Sequence, residues 1–157
     1  MKKLINLEKD FLDFISLCNH YNVKYLVIGG YAVGAHGYPR LTKDLDISIQ
    51  ISEGNAEKII QVINDFGLGS LKLTKEDFMK VNFITQLGYE PVRIDILNDL
   101  AAVSFDDAWK NRKVINMVNI PVNFIGLDEL LIVKEKAGRK QDIADVDKLK
   151  KRNKKNK

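Results

Sequence analysis

Cysteine and proline are scarce in this chain, and long apolar runs are missing from it. Among 157 residues there are one cysteine and three prolines. A single cysteine, Cys18, excludes an internal disulfide and a cysteine-built zinc site, and it is typical of a reducing cytoplasm, where we expect the protein to act. No segment approaches the roughly 20 apolar residues that a membrane helix needs, and no secretory signal is seen, so no membrane role is predicted.

Positive charge is concentrated at one end of the chain. The formal net charge is +4, yet residues 148–157 read KLKKRNKKNK, with seven positive charges and no negative one. Residues 1–147 therefore hold 18 positive and 21 negative charges, a net of −3. With 45% hydrophobic residues, the sequence predicts one globular domain over residues 1–150 and a basic, disordered tail over residues 151–157. Contact of this tail with a phosphate backbone stays open as an alternative.

Apolar spacing alternates between helical and strand periods along the chain. Helices are predicted over residues 7–21, 55–66, 100–112, 128–136 and 142–151, with a short one after Gly29-Gly30. Strands are predicted over residues 25–28, 45–51, 69–73, 81–87, 92–97, 114–118 and 122–125, with Pro121 dividing the last two. The fold class is therefore α/β, with a mixed β-sheet, helices packed on it and two C-terminal helices.

Three aspartates point to a site for divalent cations. Asp44 and Asp46 are two residues apart in an alternating strand, so their carboxylates project from the same face. Asp95 alternates in the same way with Ile94 and Ile96, and pairing of the two strands would bring all three acids together. Oxygen ligands suit Mg²⁺ or Mn²⁺, and two such ions can support phosphoryl transfer.

An Asp-x-Asp pair alone is a weak motif, because strand starts and turns are rich in aspartate. The turn at Gly29-Gly30 adds weight, since backbone N–H groups at a helix start can receive phosphate oxygens, although most Gly-Gly turns are only turns. The chain has neither a P-loop nor a dinucleotide-binding glycine motif.

The segment VIGGYAVGAHGYPRLTKDLDI resembles the signature of the polymerase-β-like nucleotidyltransferase superfamily. The resemblance implies the minimal nucleotidyltransferase fold. It also implies that Gly29 and Gly30 contact phosphate, that Asp44 and Asp46 are metal ligands, and that Asp95 is the third, catalytic carboxylate. Relatives often have serine where Gly30 stands, so a hydroxyl is lost at that position.

The segment GLDELLIVKEKAGRKQDIADVDKL is similar to the small bacterial branch that includes AbiEii-type toxin nucleotidyltransferases. Lys134, Arg139, Asp142 and Asp145 match its later positions, although those proteins are usually longer. The helical spacing alone leaves two roles open for these four residues: ion pairs between the last two helices, or nucleotide contacts held by the acids. Arg40 and Lys43, which flank the carboxylates, are charge-balancing loop residues or further nucleotide contacts.

The resemblance implies a Mg²⁺- or Mn²⁺-dependent, ATP- or other NTP-binding transferase that moves a nucleoside monophosphate to a hydroxyl. Its acceptor would be RNA, a protein or a small molecule, and an antitoxin partner is implied by the AbiEii branch. Two alternatives stay open: a catalytically silent nucleotide-binding or protein-interaction module, and a nucleic-acid binder that uses the basic tail.

Overall fold

A computed structural model describes residues 7–155. Its helices are α1 (Lys9–His20), α2 (Gly29–Ala35), α3 (Glu53–Ile63), α4 (Phe105–Lys110), α5 (Leu127–Ala137) and α6 (Lys140–Lys155). Its strands are β1 (Tyr25–Ile28), β2 (Asp44–Ile49), β3 (Ile84–Tyr89), β4 (Val92–Asn98), β5 (Lys113–Met117) and β6 (Ile120–Phe124). A π-helical turn over Asn64–Leu68 and two 3-10 turns, Gly69–Leu71 and Lys75–Phe78, link α3 to β3.

The six strands form one mixed sheet in the order β3-β4-β2-β1-β6-β5. The central neighbours β2 and β4 run parallel, and so do β1 and β6, whereas the other three pairs are antiparallel. Parallel neighbours need a crossover, and the segment with α3 and β3 supplies it between β2 and β4. This topology confirms the predicted α/β class with a mixed sheet.

Strand alternation sends one face of the central sheet into the core. Leu45, Ile47 and Ile49 of β2 are fully buried, and so are Ile94 and Ile96 of β4. The apolar sides of α1 and α3 complete this core, where the ring of Phe14 meets that of Phe66 edge-on at 5.2 Å. The opposite alternation places the aspartates on the other side of the same strands, at their N-terminal halves.

Several predicted elements are confirmed and others are wrong. The helix at 7–21 and the strands at 25–28, 45–51 and 92–97 are found within two residues of their predicted limits. Residues 69–73 form no strand but a 3-10 turn, because π-helical backbone continues α3 through Gly67, where φ is +96°. Helix α4 is shorter than predicted. Pro121 lies within β6, and the turn that divides β5 from β6 is Val118-Asn119.

Helix α6 includes the first five residues of the predicted tail, 151–155. Near its end, the Asn153 side chain donates a hydrogen bond to the carbonyl of His36, 3.1 Å away, at the end of α2. The predicted boundary at residue 150 and the disorder of residues 151–157 therefore stay predictions, with residues 151–155 helical in the structure.

Candidate functional site

The three aspartates meet through the pairing of β2 with β4. Asp46 is the register partner of Asp95, and Asp44 is the partner of Arg93. Because partners in a parallel pair share a face and alternate residues share it too, all four side chains project from the same side of the sheet. The sequence-predicted acids are thus brought together by two central strands rather than by a flexible loop.

Arg93 lies between the acids and was not predicted from the sequence. Its Nε and Nη2 donate to the two carboxylate oxygens of Asp95 at 3.0 and 2.9 Å, and Nη2 lies 3.4 Å from Asp44 Oδ2. The neighbouring carboxylates raise the pKa of Arg93 further above its usual value. The available signal was the alternation Arg93, Asp95, Leu97, which puts an arginine on the same strand face as the third acid.

The ionised form of Asp46 is disfavoured by its surroundings. Burial and the charges of Asp95 and Asp44 raise the pKa of its carboxyl to about 7, against the opposing effect of Arg93 and Lys134. Asp44 Oδ1 is buried and has no hydrogen-bond partner. One carboxylate thus favours its neutral form and another has an unsatisfied oxygen, which is the condition that a nearby cation would relieve.

The carboxylates suit a divalent cation chemically, but their present arrangement does not form a ready metal site. Within residues 7–155, no three His, Cys, Asp or Glu side chains are grouped closely enough to hold an ion. The guanidinium of Arg93 also donates to both oxygens of Asp95, so these oxygens are engaged. Oxygen donors, the orphaned Asp44 Oδ1 and the raised pKa of Asp46 fit Mg²⁺ or Mn²⁺ once Arg93 releases Asp95.

The two glycines at the start of α2 are packed against the site. Gly29 has φ +69°, and a Cβ there would collide with the carboxylate of Asp46. A Cβ on Gly30 would lie 2.6 Å from both Cβ and Oγ1 of Thr42, and 3.2 Å from Nη1 of Arg40. A side chain at position 29 is therefore excluded by backbone conformation and by Asp46, and one at position 30 by Thr42.

A buried ionic network adjoins the glycines. The Asp145 carboxylate, which is fully buried, accepts from Arg40 Nε and Nη2 at 2.9 and 3.0 Å and lies 2.9 Å from Lys134 Nζ. Gln141 donates to it as well, at 2.9 Å. Asp142 accepts from Arg139 Nε at 2.7 Å, and Lys134 Nζ is 3.4 Å away.

The charges in this network favour ionised acids. Burial alone would raise the pKa of Asp145, but hydrogen bonds from Arg40 and Lys134 outweigh it and hold that pKa below its usual value. The pKa of Asp142 is lowered in the same way, because bonds from Arg139 and the charge of Lys134 overcome its burial. The structure thus joins Arg40, Lys134 and Arg139 with the two acids, and Lys134 is close enough to stabilise the Asp46 anion too.

Lys43 is separate from this network. It is exposed and lines an open cavity of about 570 Å³, together with Thr42, Tyr31, Phe11, Glu8, Glu90 and Pro91. The cavity is of a size that holds a small ligand.

In the described part of the chain, helices that are both long and apolar enough to cross a bilayer are not found.

Comparison with known proteins gives a family and a fold. Residues 8–157 match the model of a family described as nucleotidyl transferase of unknown function (DUF2204). No curated protein was found to match the chain significantly.

Among solved structures, an inferred nucleotidyltransferase from Thermotoga maritima is similar with a TM-score of 0.61 at 14% identity, covering 88% of each chain. The lincosamide antibiotic adenylyltransferase LnuA, bound to lincomycin, gives 0.57 at 17% identity, over 94% of this chain and 98% of its own. An antigenic nucleotidyltransferase-like protein from Paracoccidioides brasiliensis gives 0.51 at 16% identity, over 91% and 77%. At these identities the likeness shows the nucleotidyltransferase fold.

Proposed function

This chain belongs to the family of nucleotidyl transferases of unknown function, and we propose that it moves a nucleoside monophosphate from an NTP to a hydroxyl group, with release of pyrophosphate. The observation that carries the proposal is the pairing of Asp46 with Asp95 across β2 and β4, with Asp44 two residues away on the same face. Such a set of acids beside a basic network is suited to a metal-bound triphosphate.

Asp44 and Asp46 would hold the divalent cation, with Asp95 as a further ligand. Bound there, Mg²⁺ or Mn²⁺ would neutralise the triphosphate and polarise its α-phosphate. Gly29 and Gly30, at the start of α2, would offer their backbone N–H groups to phosphate oxygens. Arg40, Lys134 and Arg139 supply positive charge, and Asp142 and Asp145 fix their positions. Lys43, at the exposed cavity, is a candidate contact for the outer part of the nucleotide.

Asp95 would accept the proton of the attacking hydroxyl. In the structure both of its oxygens are hydrogen-bonded by Arg93, which disfavours proton uptake by that carboxylate. Movement of the guanidinium away from Asp95 would free one oxygen to receive the proton. The hydroxyl oxygen would then attack the α-phosphorus. The bond between the α-phosphorus and the oxygen that bridges it to the β-phosphorus would break, and pyrophosphate would leave.

The molecule that accepts the nucleoside monophosphate is proposed from a structural neighbour. LnuA is an adenylyltransferase captured with lincomycin, a small molecule, and its likeness to this chain supports testing small hydroxyl compounds beside RNA and proteins. A role with an antitoxin, as in AbiEii-type proteins, and a cytoplasmic location remain parts of the proposal. The alternative function, a catalytically silent nucleotide-binding module, is favoured by the bidentate hold of Arg93 on Asp95.

Two substitutions separate the enzyme from the silent module. Asp95→Asn keeps the size of the side chain but cannot take the proton, so nucleotide transfer should fall by about 100-fold or more while NTP binding is retained. Asp44→Asn should weaken Mg²⁺-dependent NTP binding itself. The four NTPs are titrated by calorimetry with Mg²⁺ and with EDTA, and labelled-nucleotide transfer to RNA, protein and small-molecule pools is measured in parallel.

Asp106→Asn, on the exposed start of α4, is the matched control and should leave binding and transfer at the wild-type level. Equal NTP affinity in Mg²⁺ and EDTA would refute the proposed metal site. Nucleotide binding without transfer to any pool, unchanged by Asp95→Asn, would favour the silent module.

A further inference from the structure

The side chain of Thr42 fills the space that a side chain at position 30 would take. An ideal Cβ on Gly30 would lie 2.6 Å from both Thr42 Cβ and Thr42 Oγ1, a separation that real Cβ atoms do not show. The Thr42 side chain therefore packs against Gly30 at the start of α2. Its hydroxyl comes from the loop before β2 and not from the Gly29-Gly30 turn.

The hydroxyl of Thr42 has little to do within the protein. Its hydrogen bond in the structure is to the backbone carbonyl of Asp44 at 3.5 Å, the far limit of a bonding distance. The residue is half-buried and lines the cavity of about 570 Å³ together with Tyr31 and Lys43, and the same cavity is lined by Glu8 and Glu90. A hydroxyl held in place with a weakly used donor, at the wall of a cavity, is ready to bond a ligand.

The groups around Thr42 select the chemistry of that ligand. The Arg40 guanidinium lies 3.2 Å from the same Gly30 position and is fixed by two hydrogen bonds to buried Asp145. Asp44 follows two residues after Thr42, its backbone carbonyl accepts from the Thr42 hydroxyl, and its Oδ1 is buried without a hydrogen-bond partner. A fixed cation, a hydroxyl donor and a carboxylate able to hold a divalent ion form a sequence of contacts that matches a metal-bound polyphosphate.

We propose that Thr42 is a phosphate-binding residue, whose hydroxyl donates a hydrogen bond to the triphosphate and stands in for a hydroxyl at position 30. A hydroxyl-bearing side chain fits at position 42 or at position 30 but not at both, so Thr42 would compensate for the lack of a hydroxyl at Gly30. This inference rests on the proposed nucleotide site, and it adds a binding residue from the loop that neither the acids nor the basic network include.

Removal of the hydroxyl tests the contact. Thr42→Val keeps the shape, and we expect it to raise the Kd for Mg²⁺-NTP and for inorganic triphosphate by about 10-fold, as for a lost hydrogen bond to a charged group. Thr42→Ser keeps the hydroxyl and should bind within about 2-fold of the wild type, allowing for the context dependence of such bonds. Wild-type affinity in Thr42→Val would overturn the inference.

Transfer of the hydroxyl between the two positions tests the compensation. Gly30→Ser alone should lose affinity, because its Cβ meets Thr42. Thr42→Gly alone should bind weakly for lack of the hydroxyl, and glycine rather than alanine is needed because the Cβ of Thr42 is itself 2.6 Å from the new atom. The double variant Gly30→Ser/Thr42→Gly should bind triphosphate about 10-fold more tightly than Thr42→Gly.

Calorimetry with inorganic triphosphate and with NTP, both with Mg²⁺, provides the readout, and a thermal melt of each variant identifies any that is unfolded. A double variant that is folded and binds no better than Thr42→Gly would overturn the inference. Failure of the proposed function looks different: a wild type that binds triphosphate in a Thr42-dependent manner yet transfers no nucleotide. A wild type that binds neither ligand would overturn both.

Discussion

Asp46 carries the main electrostatic cost of the candidate site. Its carboxyl is largely buried, faces Asp95 in the register and lies two residues from Asp44, which together raise its pKa to about 7. In the unfolded chain the same carboxyl would have an ordinary pKa near 4. Between these two values the unfolded state loses the proton and the folded state keeps it, so the folded state becomes less stable as the pH rises.

Asp46→Asn should therefore stabilise the metal-free protein at pH 8 and change its stability little at pH 4. The gain at pH 8 should be about 1–3 kcal/mol, since one pKa unit corresponds to about 1.4 kcal/mol and the shift is partly relieved by relaxation. Urea unfolding in EDTA at both pH values measures it. Asp106→Asn, whose carboxyl is exposed, serves as the control. A wild type that is as stable as the variant at pH 8 would show that ionised Asp46 does not destabilise the folded protein.

Single residues of the site differ in how far the sequence predicted them. Asp44, Asp46 and Asp95 could be placed on one face because strand alternation is a local property. Arg93 was missed, since an arginine between valine and isoleucine is equally consistent with a solvated strand face. Thr42 was missed for a different reason: its relation to Gly30 joins a loop to a helix start, and no spacing in the sequence encodes a 2.6 Å approach.

At the scale of elements, the β5–β6 hairpin contains an unfavourable turn. Its two connecting residues, Val118 and Asn119, have φ of +51° and +65°. A two-residue turn with both φ positive matches the twist of a hairpin and favours asparagine and glycine. Valine is β-branched, and left-handed backbone costs such a residue about 1–2 kcal/mol. The side chain of Val118 is 82% exposed, so no packing offsets that cost.

Val118→Asn should stabilise the protein by about 1 kcal/mol, which corresponds to a rise in Tm of about 2–4 °C for a domain of this size. Differential scanning calorimetry measures the change. The matched control is Val81→Asn, because Val81 is also exposed, at 67%, but is not among the residues with positive φ. If both variants melt at the wild-type temperature, the turn is not strained in solution.

Elements were predicted well where one face is buried and poorly where neither is. Strand β2 shows clean alternation because Leu45, Ile47 and Ile49 enter the core. Residues 69–73 have strand-like composition, yet Leu71 is 49% exposed and Gly67 and Lys72 adopt positive φ, so the chain turns there instead. The turn at Val118 was missed because its sequence lacks the glycine that commonly marks such turns.

At the scale of the whole molecule, the candidate site depends on contacts between distant parts of the chain. The parallel pairing of β2 with β4 joins residues about fifty positions apart, and the strand order around it cannot be read from periodicity. The C-terminal helices reach the same region through Asp145, which binds Arg40 across 105 residues of sequence. The helical spacing of the acids indicated ion pairs but not this partner.

Asp145 ties three segments together: the loop before β2 through Arg40, α5 through Lys134, and α6 on which it lies. Loss of one partner from a buried ionic network leaves the other charges without compensation, at a cost of about 3–5 kcal/mol. Asp145→Asn should therefore lower the Tm by about 6–20 °C, at about 2–4 °C per kcal/mol. Because the pKa of Asp145 is lowered in the folded state, its contribution is complete above the ordinary aspartate pKa.

The same substitution should also weaken nucleotide binding at temperatures where the variant is folded, because Arg40 and Lys134 lose the anion that positions them. The matched control is Asp147→Asn on the same helix, where the acid is exposed and pairs with Lys151 four residues on, a contact of little consequence for stability. Thermal melts at pH 7 and at pH 3 complete the test. The difference between Asp145→Asn and the wild type should shrink at the lower pH, because the carboxyl of the unfolded chain takes up a proton below its ordinary pKa while the lowered pKa of the folded carboxyl disfavours that uptake. A variant that melts with the wild type at pH 7 would mean that Arg40 and Lys134 are held by the rest of the fold.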